Sequence, residues 1–141
     1  MFAGSASAKL DEKGRFVLPA KFRSGVGTSL YLAKADQGQL QLLTQEAYAV
    51  EIAQHDAAFA EGRDPDRWAK RSFMQTVESV SPDAQARIAV IERLRTHASL
   101  RDRGELFLIG MHDRLEVWDG ETYAAADEAR RRLESADRGA R

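Results

Sequence analysis

The 141-residue sequence contains no cysteine, which excludes disulfides and thiol chemistry and fits a reducing compartment. No apolar run approaches the ~20 residues of a membrane-spanning helix. Met1-Phe2-Ala3-Gly4-Ser5 also lacks the basic-then-apolar order of a secretory leader, so a cytoplasmic protein with no membrane partner is expected. Neither a P-loop, a dinucleotide-binding glycine pattern nor a nucleophile motif occurs. His55-Asp56 has no companion His or Cys at ligand spacing, and His97 and His112 stand alone, so no metal and no cofactor is expected. Asp11-Glu12 makes a poor acid–base pair, because neighbours in one polar turn are not driven to opposed pKa values. The expectation is a protein that is not an enzyme.

Uniform basicity is missing too. The 21 Lys/Arg face 22 Asp/Glu, a net charge of −1. Their distribution is uneven. Residues 1–35 carry six Lys/Arg against two acids, a net of +4, while residues 105–128 carry one Arg against seven acids, a net of −6. Such polarity can give a basic and an acidic face, or simply a solvated surface.

The densest positive stretch, residues 9–23, reads K-L-D-E-K-G-R-F-V-L-P-A-K-F-R. Asp11-Glu12-Lys13-Gly14 is a turn between two extended runs, with Gly14 suited to its left-handed position. Phe16, Val17 and Leu18 favour a strand, and Pro19 suits the first turn of a helix. This cationic hairpin is shaped to meet an anion.

The turn has an echo 72 residues later. Asp83-Ala84-Gln85-Ala86-Arg87 lies over Asp11-Glu12-Lys13-Gly14-Arg15, Leu94-Arg95 over Phe22-Arg23, and Tyr123 over Tyr48. Each copy reads strand, turn, strand, helix, strand, strand, helix. Strands are expected at 6–10, 15–18, 30–33, 40–43, 106–109 and 115–118, with helices near 19–24 and 91–98. Thr44 and Asp119 are helix N-cap candidates. Tyr48, Ile52, His55 and Phe59 mark one helical face; Tyr123, Ala126, Ala129 and Leu133 should face inward in the last helix. Arg130-Arg131-Arg132 is placed at that helix's end, where cations suit the macrodipole. Trp68, Phe73 and Trp118 are read as core or interface aromatics. The organisation is a first repeat at 1–62, a connector with a short helix capped by Asp66 at 63–74, a second repeat at 75–134 and a frayed tail at 135–141. The expected fold is α+β and mainly β, two swapped-hairpin repeats closing about a pseudo-two-fold into a compact barrel-like domain with peripheral helices.

M-F-x-G at the start, L-D-E-K-G-R-F-V-L-P-A-K-F-R and L-x-L-I-G-x-x-x-R-L-E-V-W-D together resemble the MraZ proteins of bacteria, with tandem units of the AbrB/SpoVT type. The resemblance covers nearly the whole chain. It implies a sequence-specific transcriptional regulator, usually a repressor of the division and cell-wall gene cluster. It further implies a nucleoid-associated, ring-like homo-oligomer that binds short direct repeats of double-stranded DNA through its Asp-x-x-x-Arg turns. Carried onto this sequence, those turns supply Asp11, Arg15, Asp83 and Arg87. Lys9 and Lys13 are candidate phosphate contacts. The second turn departs from the pattern, with Ala86 for Gly and neutral Gln85 in the place of Lys13. Pro82 suggests an edge or bulge there. The first turn is therefore expected to be the principal DNA contact. The competing expectation is an AbrB-like protein-interaction module, an antitoxin or scaffold without its own operator.

Overall fold

Alternation builds the first strand. In β1 (Ser5–Lys9) Ala6 and Ala8 face inward while Ser5, Ser7 and Lys9 meet solvent. After the first turn, β2 (Arg15–Val17) buries Phe16, and Pro19 leads into a single 3-10 turn, Ala20–Phe22, that buries Phe22. β3 (Leu30–Lys34) and β4 (Leu40–Thr44) form a hairpin across Asp36-Gln37-Gly38. Both strands are covered on two sides. Leu30, Leu32, Leu40 and Leu42 enter the main core, whereas Ala33 and Leu43 meet Ala47 and Phe73 of two helices. Thr44 caps the first of these, α1 (Gln45–Glu61), by accepting the Ala47 N–H at 3.1 Å. A left-handed Gly62 ends it, and α2 (Asp64–Thr76) begins at once with Pro65 in its first turn. The chain continues through β5 (Glu78–Val80), β6 (Arg87–Ala89), α3 (Glu92–His97), β7 (Glu105–Gly110), β8 (Arg114–Asp119) and α4 (Gly120–Gly139). Asp119 caps α4 by accepting the Thr122 N–H at 3.0 Å.

This computed structural model describes residues 2–139. Six strands form one antiparallel sheet in the order β1-β7-β8-β4-β3-β5, and β2 pairs with β6 in a separate two-stranded ribbon. Exchanging each strand with the one four places away in chain order returns the same sheet read backwards, and returns the ribbon to itself. The outermost strands therefore cross over: β1 pairs with β7, and β5 with β3. The main core lies between sheet and ribbon, where Phe16 and Ile88 meet Leu30, Leu32, Leu106 and Leu108.

Four expectations need correction. The strands do not close into a barrel: β1 and β5 end the large sheet, and the three-residue strands β2 and β6 have ladders only with each other among the described residues. The helix after Glu61 is no short one capped by Asp66; it starts at Asp64, and Asp66 instead accepts from Arg63. α4 has no buried face. Of the four residues expected to face inward, only Tyr123 is half-buried, stacked on Phe107 at 4.6 Å and edge-on to Trp118 at 5.2 Å, while Ala126 and Ala129 are exposed and Leu133 is 73% exposed. Finally, α4 runs on through residues 135–139, so Arg130, Arg131 and Arg132 lie within it, paired with Asp127, Glu128 and Glu134. Of the tail expected to fray, residues 140 and 141 lie outside the described residues. Phe73 and Trp118 are buried, but Trp68 is on the surface.

Candidate nucleic-acid interface

The two Asp-x-x-x-Arg turns match bond for bond. In the first, Asp11 Oδ1 accepts the Lys13 N–H at 2.9 Å and the Arg15 N–H at 2.9 Å, and Oδ2 accepts Arg15 Nε at 2.9 Å. In the second, Asp83 Oδ1 accepts from Gln85 N at 3.0 Å and Arg87 N at 2.8 Å, and Oδ2 from Arg87 Nε at 2.6 Å. Gly14 N–H donates to the Asp11 carbonyl and Ala86 N–H to the Asp83 carbonyl, closing each loop. Both closing residues are left-handed, Gly14 at φ 76° and Ala86 at φ 61°. Ala86 carries a Cβ in this conformation and is therefore strained where Gly14 is not.

Backbone donation from the arginine below, followed by the arginine side chain, holds each aspartate below its ordinary pKa of 3.8 against the opposing effect of burial. A lowered carboxyl pKa keeps the anion, and so the turn, intact above the ordinary carboxylate range. The brace is lost as pH falls through the lowered value.

The ribbon brings the two arginines together. Arg15 lies opposite Ala89, Phe16 opposite Ile88 and Val17 opposite Arg87. Opposed residues share a face, as do residues two apart in one strand. Phe16 and Ile88 therefore point into the core, and Arg15, Val17, Arg87 and Ala89 share the outer face. The two arginines are diagonal neighbours, about 7–8 Å apart by strand geometry. Their side chains are 26% and 31% exposed, and Val17 between them is 46% exposed. The turns cap opposite ends of the ribbon, where Leu18 N–H reaches the Ala86 carbonyl and Val90 N–H the Gly14 carbonyl.

The surroundings of the turns differ. Arg15 Nη1 and Nη2 donate to no other described residue, whereas Arg87 Nη2 is engaged by Gln85 Oε1 at 3.0 Å. Lys9, exposed at the end of β1 opposite Glu105, and Lys13, exposed in the loop, both flank the first turn. Five of the six candidate residues thus lie along the ribbon or in its two turns, and Lys9 stands beside the first turn at the end of β1. Sequence reasoning missed Val17 as a surface residue, although its position two after Arg15 in a strand carries that information. It also missed Arg103, which lines a shallow recess with Lys9, Asp11 and Arg15. Nothing local in the sequence signals that proximity.

The fold and these turns define an α+β protein that presents two carboxylate-braced arginines on one antiparallel ribbon. Comparison with known proteins gives the family. The family model described as "MraZ protein, putative antitoxin-like" matches residues 73–141. Proteins named transcriptional regulator MraZ are similar over almost the full length. That of Corynebacterium glutamicum (strain R) is 35% identical over 128 residues, covering 91% of this chain and 87% of the relative. That of Leifsonia xyli subsp. xyli is 36% identical over 135 residues, covering 92% and 90%. The chain belongs to the MraZ family.

Proposed function

We propose that this protein is a cytoplasmic, nucleoid-associated transcriptional regulator that grips duplex DNA with the outer face of the β2/β6 ribbon. The observation that carries the reading is the register that sets Arg15 and Arg87 on one exposed face, each braced through Nε by its own aspartate. Such bracing leaves the Nη fork of Arg15 free for guanine O6/N7 or a phosphate. B-DNA's major groove, about 12 Å wide, admits a two-stranded ribbon. Val17, between the arginines, suits apolar contact with a thymine methyl. Lys9 and Lys13 add phosphate contacts that fix position without reading sequence.

The self-returning strand order supports two swapped-hairpin repeats, residues 1–62 and 75–134 joined by 63–74. Few contacts per subunit favour a ring-like homo-oligomer that meets successive direct repeats, because linkage raises the effective concentration of each site. The family resemblance points to repression of the division and cell-wall gene cluster. The neutral neighbourhood of Arg87 and its bond to Gln85 make the second turn the weaker contact. Arginine-to-alanine variants measured for duplex binding and assembly size test the reading. A protein-interaction role, which the wording "antitoxin-like" favours, would leave both variants as competent as the parent.

A further inference from the structure

The loop at residues 101–104, just before β7, sits beside the first turn and is charged, unlike the loop in the equivalent place beside the second. Leu10 N–H donates to the Gly104 carbonyl at 3.0 Å and Lys9 lies opposite Glu105, which carries Arg103 alongside the turn. There Arg103 Nη2 approaches Glu12 Oε2 at 3.3 Å, with the two side chains 71% and 68% exposed. Arg103, Glu12, Lys9, Asp11 and Arg15 line one shallow recess of about 420 Å³. The corresponding loop near the second turn, Ser24-Gly25-Val26-Gly27-Thr28-Ser29, has no ionisable side chain. Ser81, Ala84 and Gln85 stand where the first turn has Lys9, Glu12 and Lys13. Residues 9–15 with the loop 101–105 carry five cations (Lys9, Lys13, Arg15, Arg101, Arg103) against four acids (Asp11, Glu12, Asp102, Glu105), a net of +1; residues 81–87 with the loop 24–29 carry Arg87 against Asp83, a net of zero.

We propose that Arg103 and Glu12 form a phosphate latch: Glu12 holds the guanidinium beside the turn in the free protein, and a DNA backbone phosphate displaces it on docking. The latch rests on the duplex-binding function proposed above and adds a residue to it. An exposed ion pair holds its members weakly, so the exchange costs little. A guanidinium pairs with phosphate in two parallel hydrogen bonds, so Arg103 gains a better partner. Glu12, left near the backbone, repels it. The latch therefore sets general duplex affinity and leaves sequence preference to the ribbon.

Fluorescence anisotropy of the full chain over a salt series provides the test. The probes are a labelled 30-base-pair duplex from just upstream of its own reading frame and a scrambled duplex of equal composition. Arg103→Gln should flatten the slope of log affinity against log salt by about 0.9 on both probes, and leave their affinity ratio unchanged. Arg103→Lys should restore the slope, and Glu12→Gln should tighten both probes about two- to fivefold at low salt. If Arg103→Gln matches the parent in slope and affinity while the parent binds, the latch is wrong and the ribbon reading stands. A parent that binds neither probe in a salt-sensitive way overturns the duplex-binding function and the latch with it.

Discussion

Between the two turns, the residue that closes the loop differs by one methyl group. Gly14 has no Cβ, and one built there would lie 2.2 Å from Arg95 Nη1 and 2.8 Å from Arg95 Cζ. Arg95 in turn donates to the Val90 carbonyl, so a side chain at Gly14 displaces a bond that fixes the start of α3. Ala86 adopts the same left-handed backbone with a Cβ, which costs about 1–2 kcal/mol. Ala86→Gly should therefore stabilise the fold by about 0.5–1 kcal/mol, part of the gain being offset by the freer unfolded chain. Gly14→Ala should destabilise it by about 2–3 kcal/mol. Equilibrium denaturant unfolding of both variants checks the pair; equal effects of the same sign would contradict the matched geometry. This contrast was legible in the sequence, because a left-handed closing residue is a local demand of the turn. The partner of Gly14 was not, since Arg95 reaches it from a helix some 80 residues away.

Among the elements, the strands and the caps at Thr44 and Asp119 agree with the sequence, whereas the cap at Asp66 and the inward face of the last helix do not. Period-2 burial and the side-chain oxygens of Thr44 and Asp119 are local signals, and both caps form. The inward face assigned to α4 rested on apolar spacing alone. Spacing shows which residues share a face, not whether anything lies opposite, and α4 makes its main contacts with β7 and β8 near its start. Residues 128–139 are exposed throughout, and their arginines pair within the helix. Removing residues 128–141 should thus shift the thermal midpoint of the remainder by less than about 2 °C, because exposed sites away from packing contribute little. Differential scanning calorimetry reads this directly. A drop of 10 °C would mean that the outer half of α4 is held by the body of the protein or by another subunit.

At the scale of the whole molecule, the crossover of the outer strands is the governing feature. β5 pairs with β3 and β6 with β2, so the second half supplies no ladder partner for either. A fragment of residues 75–139 should be unfolded by circular dichroism, and adding residues 2–74 should restore β structure. Independent folding of either piece would contradict this interdependence. The repeat in the sequence made such pairing foreseeable, but not the open sheet. Whether sheet edges meet depends on strand length and twist summed over the molecule, which no local pattern encodes. The proximity of Arg103 to the first turn is hidden for the same reason, since it arises from the β1–β7 ladder between distant segments. The central claim is that Arg15 on the ribbon's outer face recognises duplex DNA. Its most direct test is the affinity of the parent, Arg15→Ala and Arg87→Ala for the duplex upstream of the reading frame, with assembly mass measured by light scattering on the same samples. The mass should be unchanged, with a loss of about ten- to hundredfold for Arg15→Ala and a smaller loss for Arg87→Ala. Parent-like affinity and sequence preference in Arg15→Ala would contradict the claim.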